Sequence, residues 1–219
     1  MNTIDRVVYI NLDHRTDRRD LMESQFSHMG LIATRFPGIY HSNGALGCTL
    51  SHAEVMSQAI KDNVNSLLII EDDMEFTVNR DELDNALRLA IKKVPDFDVL
   101  LLDYNLIRGN PIDDGLGRVE ESQVAGMYLV AGHYLPTLYK NFMESYILFS
   151  ATHNEREFSC DQYWKRLQAR DRWYYLVPRV AHQRSGYSDI CKRHVTHDYY
   201  LNDKQVVSVG LQGGLDTLS

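Results

Sequence analysis

The sequence has no long hydrophobic run, few cysteines and no surplus of basic residues. Nothing in it approaches the roughly 18 apolar residues that a membrane span requires. Its opening, MNTIDRVVYINL, lacks the apolar core of a signal peptide. These two absences lead us to expect a cytoplasmic protein without a transmembrane segment. The three cysteines, Cys48, Cys160 and Cys191, are widely spaced and form no C-x-x-C pair. That argues against a disulfide framework and against a zinc knuckle, and predicts buried, reduced thiols. Lys and Arg total 23 against 30 Asp and Glu, a net charge of -7. A broad nucleic-acid-binding face needs clustered cations and is not expected here. Internal repeats and low-complexity tracts are absent as well.

What is present is an alternation of strand and helix signals in 219 residues, 44% of them hydrophobic and 24% charged. This length suits one well-buried domain. RVVYINL is a short β-rich run, followed by the charged DHRTDRRD and a helical stretch toward Met29. ATRFPGI reads as a second strand. In SNGALGCTLSHAEVMSQAIKDN the apolar residues Leu46, Leu50, Ala53, Met56 and Ile60 recur at helical spacing, with glycines at the start. SLLII is too short for a helix and too apolar for an edge, which predicts a central parallel strand covered on both faces. DELDNALRLAIKKV reads as a capped amphipathic helix and FDVLLLD as another buried strand. Residues 104–122 carry Gly and Pro with little periodicity and read as a loop. VAGMYLVAGHYL suggests a strand leading into a helix through about Phe149. SCDQYWKRLQAR reads as a helix capped by Ser159 or Asp161, and WYYLVP as a last strand stopped by Pro178. The order predicts a single α/β domain with a mainly parallel sheet.

Ligands of such sheets bind outside the carboxyl ends of the strands. Two acidic groups fall there: Asp13 and Asp17 after the first strand, and Glu71, Asp72 and Asp73 after LLII. Adjacent carboxylates repel one another unless they face solvent or share a cation. A hard divalent ion held by one or two carboxylates and by substrate phosphates gives the triplet a purpose. A solvated acidic turn is the simpler explanation, and the triplet alone does not choose between them.

LLIIEDDMEF, together with YINLDHRTDRR, GALGCTLSHAEVMSQAI, FDVLLLD, CDQYWKRLQ and PRVAHQRSGYSDI, resembles glycosyltransferase family 25, the lipopolysaccharide-type and collagen galactosyltransferase-like enzymes. The blocks follow the family's order over nearly the whole chain. The resemblance implies a GT-A-type, Rossmann-like α/β domain over residues 1–219, with a nucleotide-binding half at about 1–103 and an acceptor-side half at about 104–219. It further implies inverting transfer of a hexose, galactose or glucose, from a nucleotide-sugar donor, UDP-linked, to a glycan or glycoprotein acceptor. The implied cofactor is Mn2+ or Mg2+.

In that frame Asp73 is the expected metal ligand and Glu71 the next, while Asp72, whose side chain points away from its neighbours in an extended segment, is counted with the donor-binding residues. His182 is a third candidate ligand, with His194 and His197 behind it. Asn11, Asp13, Arg15 and Arg18 occupy the step that receives base and ribose, and Arg suits phosphate forks. Arg19 reads as a solvated helix residue. Gly44 and Gly47 are candidate close-approach positions, and glycine serves a helix start equally well. Ser51 and His52 lie on the helix beside the donor, where His52 is equally a phosphate or sugar donor and an ordinary half-buried histidine. An inverting transferase needs a base for the acceptor hydroxyl. Asp161 is the expected base, with helix capping as its competing role; Asp189 and Asp103 are the other candidates. Trp164 reads as core. The competing function is a sugar-nucleotide-binding module without catalysis.

Overall fold

The computed structural model describes residues 4–197, so the single-domain expectation for 1–219 extends at both ends outside the described residues. The chain begins with β1 (Arg6–Asn11), α1 (Thr16–Met29), β2 (Thr34–Pro37), α2 (Gly44–Lys61), β3 (Ser66–Glu71), β4 (Met74–Phe76), α3 (Arg80–Lys93) and β5 (Val99–Leu101). These are the elements expected from the first 103 residues, with β4 added. β3 is buried throughout its centre because helices pack on both of its faces and a strand flanks each edge. β1 pairs with it in parallel and β8 (Met127–Ala131) antiparallel.

The central sheet has eight strands in the order β2-β1-β3-β8-β5-β9-β7-β6, where β6 is Asn105–Asp113, β7 Leu116–Gln123 and β9 Trp173–Leu176. Only β8 and β7 run against the other strands of this sheet. It is therefore mainly parallel in strand direction and flanked by helices. Alternation along the strands builds two core layers. Leu67 and Ile69 of β3, Val8 of β1 and Tyr128 of β8 pack on the α2 side, together with α4 (Leu135–Thr152). Leu68 and Ile70, with Val7 and Tyr9, pack on the α1 and α3 side.

Helix starts are set by side chains. Asn43 caps α2, its side chain accepting from the amides of Ala45 and Leu46 at 3.0 and 3.3 Å. Asn79 and Glu82 form a reciprocal capping box at α3. Helix α1 ends on Gly30, whose left-handed φ of 57° is the conformation glycine adopts without penalty.

Three sequence expectations need correction. Residues 104–122 are a β-hairpin, β6 and β7, on the sheet edge. Two of its glycines are packing devices: a Cβ on Gly117 would lie 2.0 Å from the Tyr175 ring, and one on Gly109 would lie 2.8 Å from the Arg118 carbonyl. The DQYW segment forms separate short turns, α6 (Cys160–Tyr163) and α7 (Lys165–Gln168), after α5 (Glu155–Phe158). Finally β9 is not the last strand: β10 (Ala181–Gln183) pairs with β4, and β11 (Gly186–Ser188) with β12 (Arg193–Val195). Trp164 is core, as expected, its indole N–H donating to the Ser122 carbonyl at 3.1 Å. No helix of the described residues is long and apolar enough to cross a membrane.

Candidate active site

Outside the carboxyl ends of β1, β2 and β3 lies a pocket of about 350 Å³. Leu12 follows β1, the loop from Gly38 to Ser42 follows β2, and Glu71 ends β3 with Asp72 and Asp73 just after it. Helix α2 contributes Gly44, Cys48, Ser51 and His52. The far wall is the 187–192 segment, which closes over the start of α2. Gly44 permits this closure, since a Cβ there would stand 2.9 Å from the Ile190 Cα. Gly47 likewise lets the loop after β2 cross the helix, with the Ile39 carbonyl only 2.6 Å from where its Cβ would be.

The three carboxylates diverge. Glu71 points under α2, where its Oε1 accepts from the Cys48 thiol at 3.3 Å and lies 3.2 Å from His52 Nε2; its Oε2 accepts from Gln183 at 3.3 Å. Burial raises its pKa, but His52, Cys48 and Arg18 prevail and hold it below the usual carboxylate range. Asp72 accepts from Asn11 and from Arg18, both at 2.7 Å. Asp73 receives the same Arg18 nitrogen at 3.1 Å on Oδ2, while its Oδ1 is buried with no hydrogen-bond partner among the described residues. Burial first, then Glu71, Asp72 and Asp103 nearby, push the Asp73 carboxyl up to about 7 despite Arg18. A buried oxygen without a partner, in a group of crowded carboxylates, is where a hard cation fits. Arg18 is the fixed cation at this cluster, bridging the two aspartates.

Among the expected site residues, Arg18, Gly44, Ser51, His52, Glu71, Asp72 and Asp73 line one pocket. Ser51 donates to the Gly47 carbonyl at 2.7 Å and accepts from the Ile39 amide at 2.8 Å, so its hydroxyl fixes the loop after β2. His52 is fully buried, with Nδ1 2.8 Å from the Tyr128 hydroxyl.

The structure does not place the others on the pocket wall. Asn11 is buried and ties Asp72, Arg15 and Arg35 together. Asp13 is an exposed partner of Arg35, and Arg15 is clamped between Asp17 and Asp189. His182 lies opposite Glu75 in the β4 pairing, its Nε2 3.9 Å from that carboxylate. Its neighbour Gln183, pointing to the other face of the strand, is the residue that reaches Glu71. Gln183, and not His182, is thus the β10 residue in contact with Glu71.

Asp161 lines a second, shallow recess with Gln123, Asn154, Arg156 and Gln162. Its carboxylate accepts from the Val124 amide at 3.3 Å and the Ser159 hydroxyl at 2.9 Å. Asp103 is sealed inside and paired with Arg179 at 3.1 Å. Asp189 is the pocket's carboxylate outside the triplet; His14 and Arg15 hold its pKa low against the raising effect of burial. Tyr40, His41, Cys48 and Tyr187 are pocket residues that sequence reasoning passed over. For Cys48 a signal existed, because it precedes His52 by four residues on a helix and so shares its face.

The family model for glycosyltransferase family 25 (LPS biosynthesis protein) matches residues 40–110. A glycosyltransferase 25 family member of Drosophila melanogaster is 28% identical over 34% of this chain and 17% of its own length. One from Anopheles gambiae is 26% identical with the same coverage. The match thus spans less than a fifth of these curated relatives. Among solved structures, a glycosyltransferase involved in the glycosylation of the major capsid of PBCV-1 superposes with a TM-score of 0.51 at 11% identity, covering 84% of this chain and 93% of that one. That likeness is one of fold, and agrees with a GT-A-type α/β architecture. Residues 40–110 hold both the acidic triplet and the helix that faces it, and through them this chain is similar to glycosyltransferase family 25.

Proposed function

We propose that the protein is a metal-dependent, inverting glycosyltransferase that moves a hexose, galactose or glucose, from a nucleoside diphosphate sugar, UDP-linked, to a hydroxyl of a glycan or glycoprotein. The observation that carries this reading is the pocket at the strand ends, where Asp73 has a buried oxygen without a partner among the described residues and Glu71, Asp72 and Asp103 crowd its carboxylate. Asp73, with Asp72 beside it, would hold a divalent cation, Mn2+ or Mg2+. When bound, the cation supplies Lewis-acid assistance to the departing diphosphate.

The chain's own residues do the rest. Arg18 carries a planar fork suited to phosphate oxygens and stands at the same cluster, so it can exchange Asp72 and Asp73 for the diphosphate. Gly44 and Gly47 keep the helix start close to the pocket without side chains in the way. Tyr40, largely exposed at the rim, offers a ring face to the base or the sugar. Asp189 is assigned as the base. It shares the cavity with the triplet, whereas Asp161 occupies the second recess. The acceptor oxygen forms its bond to the anomeric carbon as the bond to the diphosphate breaks, and the hydroxyl proton passes to the Asp189 carboxylate.

The competing reading, a binding module without catalysis, draws on one observation: Arg15 and His14 already engage Asp189 and lower its basicity. Incubation with UDP-galactose or UDP-glucose, manganese and a panel of glycan acceptors separates the two. Release of UDP with a mass gain of one hexose on an acceptor is expected. Tight UDP binding with neither transfer nor hydrolysis would instead establish the module.

A further inference from the structure

Behind the acidic triplet, Glu71 takes part in a second arrangement that the sugar-transfer reading does not use. The Cys48 thiol, His52 Nε2 and a Glu71 carboxylate oxygen all lie within 4.8 Å of one another. Two of the three separations are 3.2 Å, nitrogen to oxygen, and 3.3 Å, sulfur to oxygen. Zinc binds oxygen and nitrogen at about 2.0–2.1 Å and thiolate sulfur at about 2.3 Å, so the edges of a tetrahedral set are about 3.3–3.5 Å. The observed edges are already close to those lengths. Cys48 and His52 stand one turn apart on α2, and Glu71 is fixed at the end of β3, so three rigid positions converge.

The surroundings also match what a metal-ligating set needs. A ligating histidine uses its other ring nitrogen in a hydrogen bond that fixes its orientation, and His52 Nδ1 is 2.8 Å from the Tyr128 hydroxyl. Gln183 holds the second oxygen of Glu71. The Cys160 thiol adjoins Cys48. All three ligand residues line the pocket, which gives an ion a way in. A sulfur, nitrogen and oxygen set favours borderline ions such as zinc over magnesium or manganese, which prefer oxygen alone. The oxygen of Asp73 and the thiol-bearing set behind it thus differ in chemistry.

We propose that Cys48, His52 and Glu71 form a binding site for one zinc-class divalent ion, separate from the hard-cation position at Asp73. The proposal does not depend on the sugar-transfer reading, and its test involves no activity. Cobalt is the probe, titrated into the reduced full-length protein and followed by absorption. One equivalent is expected to produce a thiolate-to-cobalt charge-transfer band, displaced by zinc. The band should disappear in Cys48→Ser, weaken with at least about tenfold lower affinity in His52→Ala, and persist in Asp73→Asn and Cys191→Ser. Should Cys48→Ser fail to fold, zinc protection of wild-type Cys48 from alkylation, read by mass spectrometry, replaces it. Absence of the band in wild type, a band lost in Cys191→Ser but kept in Cys48→Ser, or unprotected Cys48 at saturating zinc would each overturn the proposal.

Discussion

Two carboxylate-rich regions of this molecule differ in how their charge is answered. Asp96, Asp98 and Asp171 sit at the end of the sheet opposite the pocket and are met group for group. Arg172 donates to Asp98 through Nη2 and its own amide, each at 2.8 Å, and His133 Nε2 lies 2.7 Å from the same carboxylate. Arg170 donates two 2.7 Å bonds to Asp171, which also accepts from the Tyr134 hydroxyl at 2.5 Å. Burial opposes ionisation of Asp98, yet these partners hold its pKa below the usual value; Asp171 is lowered too, chiefly by Arg170. Asp72 and Asp73 at the pocket have the opposite balance, since burial outweighs Arg18 and raises both. Arg18 bridges the two, one Asp73 oxygen has no partner among the described residues, and Asp73 is pushed up to about 7. Satisfied charge marks a structural joint, and unsatisfied charge in a cavity marks a site awaiting a ligand.

The largest effect that would sharpen this contrast is at Asp73. Asp73→Ala should remove metal-dependent nucleotide binding and transfer altogether while leaving thermal stability at neutral pH undiminished, because a crowded buried carboxylate is gone; calorimetry and a melting curve read the two halves. Asp98→Ala should do the reverse, lowering thermal stability because the Arg172 guanidinium and amide lose their anion, with nucleotide affinity unchanged. The pH dependence follows in sign. Asp98 titrates below its ordinary 3.8 in the folded state, so its stabilisation is complete above that value and is lost as pH falls through the folded pKa. The gap in melting temperature between wild type and Asp98→Ala should accordingly be constant near neutrality and close in acid.

Next in size is the base. Asp189→Asn should lower turnover by about 100-fold with unchanged UDP affinity, and Asp161→Asn should leave both as they are. Steady-state kinetics reversing that order would return the base to the second recess. The smallest effect is expected at Arg18. Arg18→Gln removes the fixed cation that competes for the acidic cluster, so manganese alone should bind severalfold more tightly while UDP with manganese binds more weakly. Weaker manganese binding in titration would mean that Arg18 organises the cluster instead of competing for it.

The half of the chain up to Asp103 was legible because periodicity and charge there agree with the fold: SLLII is buried on both faces, and α2 and α3 begin with their caps. The second half was not. Gly109, Pro111, Gly115 and Gly117 read as a loop, yet Gly117 is small because the Tyr175 ring, far away in sequence, lies against it, and Gly109 because the Arg118 carbonyl of the facing strand does. In the site, the triplet and α2 were legible as strand end and helix start. The 187–192 wall was not, because only tertiary folding brings Asp189 to Arg15 and His14. That Gln183 reaches Glu71 depends on the β10 pairing with β4, which no local signal announces.

Isothermal titration of UDP into the protein, with and without manganese, in wild type and Asp73→Ala, tests the central claim most directly. Binding that requires both manganese and Asp73 is the predicted result. UDP binding of equal strength without the ion or without that carboxylate, or no binding at all, would contradict it.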